Sequence, residues 1–196
     1  NGDAAIDMVI DGARAAGVKA ADDRRTVIIH SQVMRPEQLD AYVELGFSPS
    51  FFTVHTFFWG SEHTTNLGEK RASFISPMAS AVKKGLHCSN HNDFSVTPMD
   101  PMRMMWSSVP GQALEGQILG PEERVDRWQA LKALTIEGAW QLFEEDQKGT
   151  IAAGKLADLV ILDANPLTVP VDHILNIKVV ETLKDGKTVY KREAAA

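Results

Sequence analysis

Histidine and aspartate side chains fall at one recurring kind of position in this sequence. His30 closes the apolar, β-branched run Thr26-Val27-Ile28-Ile29, His55 lies within Phe51-Phe52-Thr53-Val54-His55-Thr56-Phe57-Phe58, and Asp93 ends a stretch that begins at Leu86. In parallel α/β folds, ligands and reacting groups sit at the C-terminal ends of strands, where the following loops begin. Imidazole nitrogen together with carboxylate oxygen suits zinc or a similar first-row divalent ion, so His30 and Asp93 are candidate metal ligands. His91 stands two residues before Asp93 and would share its face if the strand continues; it is a candidate for supporting the site or touching substrate. The aromatic neighbours Phe57, Phe58 and Trp59 make His55 a candidate pocket wall that contacts substrate or polarises an oxyanion. Each residue has a plainer role available: a strand-end histidine can be a hydrogen-bonded core residue, and Asp93 can cap the next turn. Recurrence at three strand ends favours a shared site, although two or three ligands do not close one.

The elements that must position these groups follow from periodicity and punctuation. Ala5, Ile6, Val9, Ile10 and Ala13 recur at helical spacing and predict a helix over residues 3–16, with Asp3 as cap and Gly17 as stop. A strand is expected over 26–30, a helix over 36–45 closed by Gly46, a strand over 51–58, a helix over 77–84 ended by Gly85, and a strand over 86–93. That alternation argues for parallel strands joined by crossover helices. After Pro98 a loop carries Met99, Met102, Met104, Met105 and Trp106, which either pack or line an apolar channel. A long helix is expected over 121–145. Short strands over 159–162, 177–182 and 188–190, the last two joined by an Asp185-Gly186 turn, make an all-β tail. Residues 1–148 and 149–196 are therefore expected as two domains, with 194–196 a frayed terminus. Gly149, Gly154 and Lys155 are spaced as in a phosphate-binding loop, but Leu156 and a strand follow where Ser or Thr and a helix are required.

At 196 residues, 44% hydrophobic and 23% charged, the chain can bury a core and is not read as disordered. Its net charge of -6, with basic residues scattered, disfavours a nucleic-acid partner. Cys88 is the single cysteine, so the fold needs no disulfide and a cytoplasmic location is the expectation. No apolar run approaches the roughly 20 residues that span a bilayer, and Asn1-Gly2-Asp3 lacks the layout of a signal peptide.

Three parallel strands close nothing, whereas a (β/α)₈ barrel needs eight and typically ~250 residues; a small open three-layer α/β domain is the alternative on pattern alone. The sequence resembles the amidohydrolase superfamily, in particular its branch of long metal-dependent amidohydrolases related to N-substituted formamide deformylase. The resemblance is carried by Asn1 through Asp7, Val27-Ile28-Ile29-His30-Ser31-Gln32, Ser50-Phe51-Phe52-Thr53-Val54-His55, Ile75-Ser76-Pro77-Met78-Ala79-Ser80, His91-Asn92-Asp93 with Val96-Thr97-Pro98, and Lys148-Gly149-Thr150-Ile151 onward to Val160. It implies an α/β fold: the C-terminal part of a (β/α)₈ TIM barrel plus part of a small β-sandwich domain. It also implies that His30 corresponds to a sixth-strand histidine ligand and Asp93 to an eighth-strand aspartate. The family's His-x-His pair, middle-strand ligand and fifth-strand histidine have no counterpart in this sequence, so the chain is expected to be the C-terminal half of a longer polypeptide. The implied chemistry is hydrolysis of C–N bonds in amides or related small molecules through a metal-activated water, with Asp93 moving the proton and the metal, zinc by expectation, polarising the carbonyl. The implied partners are an amide-type substrate, the missing N-terminal half and a homo-oligomeric copy. A noncatalytic α/β module that binds a ligand or partner chain is the alternative.

Overall fold

Val27, Ile28 and Ile29 are stiff at χ1 and favour extended backbone. In the computed structural model, which describes residues 1–193, they form β1 (Val27–His30). β1 pairs in parallel with β2 (Ser48–Phe51), which pairs in parallel with β3 (Ser89–Asn90). The register sets His30 beside Phe51 and Phe51 beside Asn90. The three strands therefore stop level with one another, and the residues that follow them emerge at one end of the sheet.

Helices make the connections. α1 (Asp3–Ala15) precedes β1, and α2 (Pro36–Leu45) links β1 to β2, beginning with proline in its first turn and ending at Gly46, whose φ of 67° suits glycine. Arg35 ties the two helices by ion pairs to Asp3 and Asp7. α3 (Val54–Leu67), α4 (Glu69–Ala72) and α5 (Met78–Lys83) cross from β2 to β3. α6 (Pro101–Ser107), α7 (Arg127–Ala133) and α8 (Ile136–Gln141) follow. Parallel strands joined through helices are consistent with part of a (β/α)₈ barrel. Leu39, Tyr42, Phe51, Cys88 and Met105 are fully buried in the main core. Among the described residues no helix is long and apolar enough to cross a membrane.

Several expected elements differ. The run expected as a strand over 51–58 leaves the sheet after Phe51 and turns into α3, which buries Val54, Thr56 and Gly60. Its phenylalanine and valine content favours extended chain, but tertiary anchoring of Thr53, described below, overrides that preference. The strand expected over 86–93 pairs only at Ser89–Asn90, and Asp93 turns away with a φ of 49°, so His91 and Asp93 lie in the loop after β3. The helix expected over 121–145 is a 3-10 turn at Pro121–Glu123 followed by α7 and α8, separated by Thr135 at φ -130°, ψ -94°. The methionine-rich loop contains α6, whose cap Asp100 accepts a hydrogen bond from the Arg103 N–H at 3.0 Å. Gly2, rather than Asp3, precedes the first turn of α1.

The second sheet is antiparallel: β4 (Leu159–Leu162), β5 (Val179–Lys184) and β6 (Lys187–Lys191) in that order, with Asp185 and Gly186 at the hairpin. It shares no strand with the parallel sheet. The 3-10 helix Val171–Asn176 between β4 and β5 nevertheless returns to the main core, where Ile174 is fully buried. Arg127 donates to the Leu167 carbonyl at 3.0 Å and to that of Val169. Residues 194–196, expected to fray, lie outside the described residues.

Gly149 and Gly154 separate backbone strain from crowding. Both have positive φ, 86° and 91°; a Cβ on Gly149 would stand 2.7 Å from Ile136 Cα, whereas one on Gly154 would meet nothing within 4 Å. Gly154→Ala should cost about 1 kcal/mol, the left-handed penalty alone, and Gly149→Ala about 2–4 kcal/mol because overpacking adds to it. Urea unfolding of the two variants checks this; equal losses would mean that the α8 contact is not tight.

Candidate metal centre

His30 is the last residue of β1, with a φ of 68°, and Ser31 follows at 43°. The left-handed region costs a residue with a Cβ roughly 1–2 kcal/mol, and here the cost is met by packing: Ser31 Oγ donates to the Ile28 carbonyl at 3.1 Å and lies 2.9 Å from the buried Tyr42 hydroxyl. Asp93, at φ 49°, is a third such position. Strained residues of this kind cluster at functional sites. The two turns bring His30 Nε2 to 3.9 Å from Asp93 Oδ2.

His91 and His55 complete a ring of imidazoles around Phe52. The fully buried Phe52 ring lies 5.9 Å from His30, 4.3 Å from His55 and 5.2 Å from His91, centroid to centroid, and His30 and His91 are 4.9 Å apart. The Asp93 N–H donates to His91 Nδ1 at 3.2 Å, so neutral His91 carries its proton on Nε2. That Nε2 and His30 Nδ1 are both buried without a hydrogen-bond partner. Burial pushes His55 and His91 down to about 4, helped by neighbouring imidazoles and opposed by Asp93. His30 is lowered too, by burial, against the pull of Asp93. A buried imidazole held neutral keeps one nitrogen lone pair available to a cation, and His30 Nε2 beside the Asp93 carboxylate fits the donor chemistry of a divalent metal. Among the described residues no group of three or more His, Cys, Asp or Glu side chains is arranged to hold a metal ion. His30 and Asp93 are thus a two-donor set.

Asn90 positions this ring. Its amide Nδ2 donates to Thr53 Oγ1 at 2.8 Å, the Met104 carbonyl at 3.1 Å and Ser108 Oγ at 3.1 Å, and its Oδ1 accepts from the Thr53 N–H at 3.2 Å. The end of β3 is thereby tied to the start of α3, which carries His55, and to α6. Two polar residues beside the ring escape a reading of strand ends: Gln32, 4% exposed, and His63 on α3. Gln32 Nε2 lies 3.1 Å from His55 Nδ1 and 3.0 Å from His63 Nε2. The eight-residue spacing of His55 and His63 signals a pair only once residues 54–67 are known to be helical.

A parallel sheet with imidazole and carboxylate groups at its strand ends belongs to the class of α/β scaffolds that build sites from loops at one end of the strands. The amidohydrolase family model described as Amidohydro_3 matches residues 1–190, and the chain belongs to that family. It is 27% identical over 192 residues to the N-substituted formamide deformylase of Arthrobacter pascens, a match that covers 97% of this chain and 35% of that protein. An uncharacterized metal-dependent hydrolase from Pyrococcus furiosus superposes with a TM-score of 0.70 at 25% identity, over 85% of this chain and 33% of that one. Its counterpart from Pyrococcus horikoshii gives 0.73 at 23% identity, over 88% and 34%. The chain spans about a third of the length of these relatives.

Two measurements check the site's architecture. Asn90→Ala leaves the buried Thr53 N–H without an acceptor and should cost about 1–3 kcal/mol, loosening α3 so that His55 amides exchange faster; an unchanged denaturation midpoint would remove Asn90 as the anchor. The second concerns pH. Because the folded His55 and His91 values lie below the ordinary 6.5, the unfolded chain takes up protons that the folded chain refuses. Stability with a chelator present should be full above about 6.5 and fall as pH drops toward about 4, whereas a urea midpoint flat between about pH 7.5 and about pH 5 would mean that the ring is solvated.

Proposed function

We propose that this chain is the C-terminal share of a metal-dependent hydrolase that cleaves C–N bonds of amides or related small molecules. The observation that carries the reading is the approach of His30 to Asp93 at level strand ends, within a family whose solved relatives include a metal-dependent hydrolase. In this reading His30 and Asp93 hold a divalent ion, zinc by its preference for nitrogen and carboxylate donors, together with ligands from an upstream segment of the polypeptide. When bound, the ion supplies an acidified water, with a pKa near about 7, and polarises the scissile carbonyl.

The remaining steps belong to side chains. Asp93 accepts the water's proton and returns it to the leaving nitrogen. The unpartnered Nε2–H of His91 donates to the substrate oxygen as negative charge develops there. His55 and Phe52 wall the pocket, and the buried ring keeps bulk water from screening these interactions. The strands between residues 149 and 193 belong to a small β-sandwich domain that other strands of the whole polypeptide complete, while residues 1–148 are the partial barrel. The partners are a small amide substrate and the upstream half, and the isolated chain is inactive because two protein donors fall short of the three usual at a catalytic zinc.

The test is hydrolysis of a panel of N-acyl and N-formyl amides by the intact protein, with bound zinc measured alongside. Asp93→Asn should lower kcat by about 10²–10⁴, and His30→Ala should lower both bound zinc and kcat. An active Asp93→Asn variant would remove Asp93 as the proton carrier, and zinc uptake without turnover of any amide would favour a noncatalytic binding module.

A further inference from the structure

Gln32 and His63 are left without a role in the chemistry above, and His55 has only that of a pocket wall. His55 Nδ1 and His63 Nε2 stand 3.4 Å apart, and the Gln32 amide atom facing them lies 3.1 and 3.0 Å away, so three polar atoms make a nearly equilateral triangle. Ligands about 2.0–2.1 Å from a tetrahedral ion stand roughly 3.3 Å from one another. The helix is broken to permit this. Positions eight apart on a straight α-helix are separated by about 12 Å along its axis, and Trp59, between the two histidines, is non-helical at φ -129°, ψ 21°. Burial keeps Gln32 in place from the loop after β1.

Hydrogen bonding alone does not account for the triangle well. With Gln32 donating to both rings, His55 Nδ1 and His63 Nε2 each present a lone pair, and the two lone pairs face one another at 3.4 Å. A cation between them turns that repulsion into attraction. Amide oxygen and nitrogen exchange places by a half-turn of the side chain with no movement of its neighbours, which puts Oε1 at the third vertex.

We propose that Gln32, His55 and His63 form a second divalent-cation site, of the zinc or cobalt class, separate from the His30–Asp93 pair. A tetrahedral ion there keeps one position open beyond its three protein donors. The His55 ring lies 6.0 Å from that of His30, so the site borders the pocket and its open position suits an oxygen of a bound ligand. The assignment does not depend on His30 and Asp93 holding an ion.

The experiment is Co²⁺ titration of the intact protein after chelator treatment, followed by calorimetry and by the visible d–d band. One equivalent should persist in His30→Ala and Asp93→Asn, and should weaken by about 100-fold or more in His63→Ala and His63→Gln, beyond the ~10–100-fold that losing a ligand's supporting partner costs. Gln32→Glu decides between the two chemistries. A carboxylate adds ligand charge and should tighten that equivalent by about tenfold or more, whereas a hydrogen-bonded triangle loses its double donor. Unchanged Co²⁺ binding in both His63 variants would overturn the proposal, as would a Gln32→Glu protein that binds no tighter and unfolds at lower temperature. Because these readouts leave out turnover, failure of the hydrolase reading at Asp93 registers separately.

Discussion

One buried amide holds the candidate site together. Asn90 ends β3, and its side chain binds Thr53 at the start of α3 and Met104 and Ser108 of α6 and its C-terminal cap, two separate segments. A buried polar group left without partners costs about 1–3 kcal/mol, so each segment is confined to the place where the amide is satisfied. The consequence reaches the chemistry through Thr53, because fixing its backbone starts α3 two residues before His55. The parallel register supplies the complementary constraint: it aligns the ends of β1, β2 and β3, and side chains from loops far apart in sequence meet around Phe52.

Within that frame, burial and charge pull the imidazoles in opposite directions. Desolvation disfavours the protonated form, and neighbouring rings also disfavour it at His55 and His91; Asp93 favours it at all three histidines. Burial wins, as the depressed values of His55 and His91 show. A neutral ring is the form that can donate from one nitrogen and offer a lone pair from the other. The hydrogen bond from the Asp93 N–H to His91 Nδ1 assigns those two roles within His91. The left-handed turn at Asp93 therefore both aims its carboxylate at His30 and orients the proton of its neighbour.

How much of this was legible in the sequence depended on whether the signal was local. Val27-Ile28-Ile29 and the Pro36 to Gly46 span carry their own structure in χ1 stiffness and end punctuation, and both formed where expected. Phe51 to Phe58 misled because its β-forming composition is local while the Asn90–Thr53 anchor that ends the strand is 37 residues away. His63 stayed hidden for the same reason, since its spacing from His55 has meaning only on a helix. The Asp100-Pro101 cap of α6, by contrast, was a local signal that the methionines obscured. His30 and Asp93 were legible as strand-end candidates, but their 3.9 Å approach required two left-handed turns that nothing in their own residue types dictates.

The two sheets face different constraints, and that difference bears on where function can reside. β2 and β3 are short and buried, while β1 is half-buried with Ile29 exposed. β6 is exposed along its whole length, and Val160, Ile161, Val189 and Tyr190 present apolar surface. An antiparallel sheet tolerates one wet face, but a row of uncovered apolar side chains positions nothing precisely. Orientation to within an ångström, which a metal ligand or proton carrier needs, is available only where backbone strain, buried amides and packed aromatics act on the same few residues. In this chain those three conditions coincide at the ends of β1 and β3 and at the first turns of α3, around Phe52.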